Sequence, residues 1–396
     1  MADQKILRAN GTDELVEAIG QAAARGQRLE VRGGGTKSAI GRPGRDTTLL
    51  QIQGFDTVTD YDGPELVLTA GASTPLAKIQ TLLAQNNQML AFEPFDHAVL
   101  FGLAPAATLG GVIAAGVSGS RRLTAGAVRD HFLGLRGVSG RGEAFMGGAK
   151  VVKNVTGYDL PKLLANSWGQ LAVMTEVTLK VLPRPQTVQT VVLSGLDERQ
   201  ACLVMGQALG SQADVAAAAH LPADINGGLA LTALRLEGFE PSVKARVQMV
   251  LEQFKATAPC DILPTEASAL LWEQVQHASV LQETGTLKGE GALWRINVPP
   301  MAGSQVIERL KPFGARCLLD WAGGLVWALL PMTDEAKGVR DVASTLGGHA
   351  MLIRAPQALR LSIPTQQPLA PGVAALTQRI KDGFDPKAIL DPERFI

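Results

Sequence analysis

Residues 29–37 read LEVRGGGTK, a short strand pattern that runs directly into three successive glycines. Glycine accepts backbone conformations closed to other residues, so three in a row let consecutive amides turn toward one point. Such a nest suits an anion, and its place after a strand suits a pyrophosphate cradle built from Gly33, Gly34 and Gly35, with a donor from Thr36 and a positive charge from Lys37. A flexible turn is the plain alternative for the same residues. Two better-known phosphate loops do not fit, because the P-loop and the dinucleotide fingerprint both need a glycine where Ser38 stands. Arg32 closes the strand just before the loop.

Upstream, Ile6 and Leu7 open a first strand. Thr12, Asp13 and Glu14 supply a cap and an acidic first turn for a helix continued by Leu15, Ile19, Ala22 and Ala23, and Gly26 stands at its C-terminal cap. The glycine loop thus ends a β-α-β opening. Downstream, residues 75–85 predict a helix, and 102–126 is glycine-rich and irregular. Residues 171–182, LAVMTEVTLKVL, predict a strand with Val173, Thr175, Val177, Leu179 and Val181 on one face. Pro183 and Pro185 end it and mark a boundary. Beyond them the spacing predicts strand 187–194, helix 198–210, strands 213–220 and 229–237 and helix 241–256. After a linker-like stretch come strand 291–298, helix 303–312, strands 315–321 and 324–331, helix 334–346 and strand 349–354. These are two β-α-β-β-α modules, which usually make antiparallel sheet with helices on one face. The expected division is a first domain over 1–183, a cap over 184–354, and a segment over 355–396 that returns to the first domain.

Length and charge narrow the class. A chain of 396 residues exceeds what one core usually organises. Lys plus Arg and Asp plus Glu both total 37, so there is no excess charge to drive binding to nucleic acid. The opening MADQKILRANGTDE lacks the features of a secretory signal, and apolar runs break well before the ~20 residues that span a bilayer. A cytoplasmic protein with at most peripheral membrane association is expected. Cys202, Cys260 and Cys317 lie far apart, and His97, His131, His220, His277 and His349 show no ligand spacing, so no metal site is expected.

A second glycine-punctuated run, TLGGVIAAGVSGSRRLTAG at 108–126, sets Gly110, Gly111, Gly116, Gly119 and Gly126 among small residues. It reads either as backbone lying against a flat ligand or as close packing of the chain on itself. Arg121 and Arg122 read as partners for a phosphate or carboxylate, or as solvated surface. Taken in order, RGGGTK at 32–37, TLGGVIAAGVSGSRRLTAGAVRDHFLGL at 108–135 and KNVTGYDLPKLLANSWGQLAVMTEVTLKVLP at 153–183 resemble the FAD-binding domain of the vanillyl-alcohol oxidase and p-cresol methylhydroxylase superfamily. GGAKVVKNVTGYDLPKLL, with GAVRD at 126–130, is most similar to the FAD-binding subunits of bacterial glycolate oxidase. The ending FDPKAILDPERFI resembles the superfamily's C-terminal return.

The resemblance implies an α+β protein, a PCMH-type FAD-binding domain joined to a cap. It assigns Gly33, Gly34, Gly35, Thr36 and Lys37, with Arg32 beside them, to the pyrophosphate loop. Thr108, Gly110 and Gly111 fall to the segment beside diphosphate and flavin. Gly116, Ser118, Gly119 and Gly126 match a stretch packed along the cofactor, and Val173 and Thr175 match backbone contacts near adenine. Relatives that tether flavin covalently often carry His in the first loop, where Lys37 stands here, so non-covalent FAD is implied. The chain departs from the superfamily at Ser167, Trp168, Gly169, Gln170, Leu171 and Ala172, where S-E-G-T-L-G is usual. It also lacks the paired histidines and E-H motif of the relatives that oxidise 2-hydroxy acids. The implied role is an FAD-binding subunit of a glycolate oxidase complex, acting on glycolate with a catalytic flavin subunit and an iron-sulfur subunit. A self-sufficient dehydrogenase of a small 2-hydroxy acid, or an FAD-binding scaffold, are the alternatives.

Oxidising a hydroxy acid needs a base for the hydroxyl proton, a cation for the carboxylate and a hydride acceptor. Arg295 in ALWRINVPP and Arg354 in MLIRAP lie on expected cap strands, where each orients a carboxylate or reaches solvent or a neighbouring acid. Tyr158 donates to a substrate oxygen or stacks in the core. The sequence names no general base.

Overall fold

The computed structural model describes residues 5–44, 46–149, 157–281, 291–331, 336–390 and 394–395. Residues 153–156 of the segment that carries the resemblance, the start of the expected helix 334–346, and Asp391 and Pro392 of the C-terminal motif lie outside them.

Ile6–Arg8 (β1), Leu29–Arg32 (β2) and Thr48–Gln51 (β3) form a parallel sheet in the order β1-β3-β2. The helix Thr12–Arg25 joins the first two. Asp13 and Glu14 sit at its positive end, and Gly26 ends it in the left-handed conformation at φ 62°. Gly11, and not Thr12, occupies the N-cap and makes no side-chain bond. The β-α-β opening is present, but β3 is inserted between its two strands.

A five-stranded antiparallel sheet follows, in the order β4-β5-β9-β7-β8, from Val58–Asp62 (β4), Val67–Gly71 (β5), Phe132–Ser139 (β7), Ala144–Gly148 (β8) and Ala172–Lys180 (β9); Gln88–Met89 (β6) pairs with Leu182–Pro183 (β10). Strand β9 does not keep one apolar face. A bulge opposite the Arg136–Gly137 step breaks its alternation, so Val173 packs with Leu50 and Ile389 while Val177 and Leu179 face the main core.

The second half is an eight-stranded antiparallel sheet. Its strands are Thr187–Ser194 (β11), Val215–Leu221 (β12), Leu231–Gly238 (β13), Cys260–Ile262 (β14), Ala292–Asn297 (β15), Arg316–Asp320 (β16), Leu325–Leu330 (β17) and His349–Arg354 (β18), in the order β14-β11-β13-β12-β16-β17-β15-β18. Each half of this sheet is a β-α-β-β-α-β unit, and the two meet at the single register pair His220–Leu319. The stretch between them is no plain linker: it holds β14 and the helix Thr265–Gln276. One face of the sheet is covered by helices, with Trp294, Ile296, Val243 and Phe254 in a shared core. The other face sends Leu293, Leu318 and Trp327 into a core with Phe92, Leu109 and Val177 of the first half.

Polar bonds lock this second interface. Arg235 on β13 pairs with Glu93 at 2.6 Å and with Glu237 at 2.9 Å, and Arg121 reaches Glu237 at 3.1 Å. Ser120 Oγ donates to Asp320 at 2.8 Å, and the Trp321 indole donates to the Gly119 carbonyl at 2.9 Å. Arg121 is therefore neither a free anion partner nor solvated surface but part of a half-buried ion network.

Candidate cofactor site

Strand β2 delivers the glycine loop to one wall of a cleft. Its lining includes Arg32 to Lys37, Thr108, Gly110, Gly111 and Val173. Residues separated by more than a hundred positions thus meet as the sequence requires of a single site. None of the backbone amides of Gly33, Gly34, Gly35, Thr36 and Lys37 donates to a protein acceptor among the described residues. A run of unpaired amides beside open space is a donor set waiting for an acceptor. Two glycines are obligatory on steric grounds. A Cβ on Gly34 would lie 1.5 Å from the Ala106 carbonyl oxygen, and Gly35 has φ +75°.

Lys37 supplies the charge. Its ammonium stands 3.5 Å from the Thr36 hydroxyl, and a Cβ on Gly111 would come within 3.9 Å of it. Burial pushes it down to about 8, an effect that Asp96 opposes and Arg394 reinforces. The Asp96 carboxylate accepts from the amides of Ala98, Ala106 and Ala107 at 2.7 to 2.8 Å, which pins the 106–107 backbone against Gly34. Sequence reasoning missed Asp96, and also missed Ala72, Met174 and Arg394 in the lining. Trp168 and Gly169, within the stretch that departs from the superfamily, line the cleft as well.

Other expected residues lie elsewhere. Thr175 is buried behind the wall, its carbonyl accepting from the Ala72 amide at 2.9 Å. Gly116, Ser118, Gly119 and Gly126 do not line this cleft. Added Cβ atoms on the three glycines would collide with Asn166, Glu93 and Asp130, and Ser118 Oγ accepts from the Val128 amide at 3.2 Å. Each of these four positions has a close protein neighbour, as the close-packing alternative expects. Gly110 likewise packs on Ala72, whose methyl would lie 2.7 Å from a Cβ added there.

The candidate catalytic residues separate cleanly. Tyr158 is 90 % exposed, so it neither stacks in the core nor faces an enclosed site. Arg354 donates to the Leu100 carbonyl at 2.6 Å and ties β18 to the first half. Arg295 lies on the β15 face turned toward the first half, bonded to Asn297 at 2.9 Å and stacked 5.0 Å from the Trp321 ring, over which Arg122 also stands at 4.6 Å. Burial, with Arg122 adding to it and Asp320 opposing, pushes Arg295 down to about 10. His97, stacked on Phe95 at 4.7 Å, is held well below its usual value by burial and then by Lys37, Arg295 and His277, so it is neutral at pH 7. Cys202, Cys260 and Cys317 are free thiols, and among the described residues no group of three or more His, Cys, Asp or Glu is placed to hold a metal. No helix among the described residues is long and apolar enough to cross a membrane.

A family model described as an FAD binding domain matches residues 4–146. The chain superposes on the crystal structure of p-cresol methylhydroxylase with a TM-score of 0.73 over 98 % of its length and 88 % of that chain, at 12 % identity. The fold is of the PCMH type, and the FAD-binding domain together with the relatives that follow makes the chain an FAD-dependent oxidoreductase. Along 96 % of both sequences it is 31 % identical to glycolate oxidase subunit GlcE of Escherichia coli, over 384 residues, and it belongs to that family. D-lactate dehydrogenase of Archaeoglobus fulgidus is 28 % identical over 202 residues, 50 % of this chain and 44 % of that protein. The cofactor is FAD, and the unpaired amides with Lys37 fit its diphosphate.

Proposed function

We propose that this chain is the FAD-binding subunit of a glycolate oxidase complex, working with a catalytic flavin subunit and an iron-sulfur subunit in the cytoplasm. Residues 1–183 are its FAD-binding domain, 184–354 its cap and 355–396 the returning segment. The observation that carries the reading is the run of five amides, Gly33 to Lys37, without protein acceptors. Those amides, with Lys37, hold the diphosphate of non-covalent FAD, while Thr108, Gly111 and Val173 shape the wall beside it. Bound FAD supplies a hydride acceptor and an electron store. Similarity to GlcE along nearly the whole of both chains supports the role as a subunit, and in that role the flavin passes electrons between partners or stabilises the assembly.

One observation favours a second reading, a dehydrogenase of a small 2-hydroxy acid acting alone. Arg295 places a guanidinium on the sheet face opposite the FAD-binding half, where it would orient a carboxylate, with neutral His97 in its field. Anaerobic addition of glycolate or D-lactate to the purified holo-chain separates the two. An unchanged flavin spectrum that bleaches only with the partner subunits present supports the subunit reading, and bleaching without partners rejects it.

A further inference from the structure

The end of the glycine loop and the turn that follows it, residues 37–42, are held by the C-terminal segment. Arg394 Nε donates to the Ile40 carbonyl at 2.9 Å and its Nη2 to the Lys37 carbonyl; Arg360 Nη1 donates to the carbonyls of Ala39 and Gly41. The Arg42 amide in turn donates to the Arg394 carbonyl at 2.8 Å, and a Cβ on Gly41 would strike that same carbonyl at 2.6 Å. The carbonyls of Lys37, Ala39, Ile40 and Gly41 and the amide of Arg42 thus rest on the C-terminal segment. Two further contacts bring the tail to the cleft itself. Arg394 is part of the lining, and Phe395 packs on Trp168, also part of the lining, with ring centroids 4.8 Å apart. Upstream, Leu29 of β2 bridges Leu390 and donates to the Ile389 carbonyl at 2.7 Å, so the strand that delivers the loop is braced by the same tail.

We propose that Arg394 is a cofactor-positioning residue and that docking of the C-terminal tail is thermodynamically coupled to occupation of the diphosphate site. The coupling rests on the reading of Gly33 to Lys37 as that site. Its physical basis is twofold. Guanidinium groups on the carbonyls of Lys37, Ala39, Ile40 and Gly41 anchor the turn into which the glycine loop runs, so the loop's end and Lys37 need less reorganisation when an anion arrives. The Arg394 charge also adds to the positive field felt by a dianionic diphosphate and by Lys37, whose protonation it opposes. A ligand that binds only the docked arrangement stabilises docking by mass action, and the effect is reciprocal.

The test uses the full chain, freed of flavin, with FAD as the probe. Carboxypeptidase trimming of the tail is followed by intact mass, with and without saturating FAD, and FAD affinity is measured by fluorescence titration for wild type and Arg394→Ala. FAD is expected to slow removal of the last residues severalfold. The Arg394→Ala substitution is expected to weaken FAD binding about 10- to 100-fold, the range for losing a charge-assisted contact. It should also move the pH midpoint of FAD binding upward, because the Lys37 ammonium loses a repulsive neighbour; a purely structural role would leave that midpoint in place. Wild type that binds FAD with no change in trimming, or a folded Arg394→Ala chain with wild-type affinity and midpoint, overturns the proposal. If Arg394→Ala does not fold, the wild-type trimming result decides alone. Failure of wild type to bind FAD at all overturns the diphosphate reading beneath it, and the two failures are therefore distinct.

Discussion

Replacing Lys37 with Gln removes the one lysine at the nest and shows how much of FAD affinity is charge. With its ammonium pushed down to about 8, Lys37 of the flavin-free chain is roughly nine-tenths protonated at pH 7 and about one-tenth protonated at pH 9. The diphosphate favours the charged form, so binding raises the pKa, and affinity is greatest below 8 and falls as pH rises through it. If only the ammonium form binds well, wild-type FAD affinity drops about tenfold between pH 7 and pH 9. Asp96 and Arg394 are the charged groups acting on this ammonium, and they pull its pKa in opposite directions. In Lys37→Gln the affinity at pH 7 falls about 10- to 100-fold and the slope between pH 7 and pH 9 flattens. The assay is equilibrium titration by quenching of flavin fluorescence at several pH values. Wild-type affinity that is flat across that interval, or a Lys37→Gln chain that keeps the wild-type slope, would refute the reasoning.

Gly34→Ala drives a methyl into the Ala106 carbonyl, so the purified chain should lose its bound flavin, read as the ratio of visible to protein absorbance. Glu93→Ala leaves Arg235, only 8 % exposed, with one carboxylate in place of two. Unfolding by urea should show a loss of about 3 kcal/mol. Asp320 is pushed up to about 7, chiefly by burial, against bonds from the Trp321 amide and Ser120 that favour its charged form. A carboxyl whose folded value lies above its unfolded one stabilises the fold at low pH, and that contribution is lost as pH rises toward 7. Asp320→Asn should therefore show a flatter dependence of Tm on pH between about 4 and 7 than wild type, measured by calorimetry.

Short apolar runs bounded by turn residues, with helical spacing between them, made the cap legible from sequence. Strands β11, β12, β13, β15, β16, β17 and β18 fall within two residues of their expected limits. What was missed has physical reasons. In the helix Thr265–Gln276 the buried stripe contains Ser268, whose hydroxyl bonds Thr190 at 2.7 Å, so a polar residue interrupts the apolar pattern. Strand β7, FLGLRGVS, carries Gly134 and Gly137, and the second is required because a Cβ there would lie 2.8 Å from the Val173 carbonyl across the bulge. Glycine in a strand reads as a turn until its neighbour is seen.

At the site, the loop was legible because its signal is local: three glycines after a strand. Arg394 was not, since its bond to the Lys37 carbonyl spans 357 positions. Asp96 escaped notice for a similar reason, its three amide partners lying up to eleven residues away in an irregular segment. Gly116, Gly119 and Gly126 carry the same residue type as the loop, yet they meet protein and not open space. Composition could not separate these two uses of glycine.

Amide hydrogen exchange, followed by mass spectrometry on the flavin-free and FAD-saturated chain, reports directly on Gly33 to Lys37. Strong slowing of exchange in peptides covering 32–38 on addition of FAD is the predicted result. Saturating FAD that leaves exchange across those peptides unchanged would contradict it.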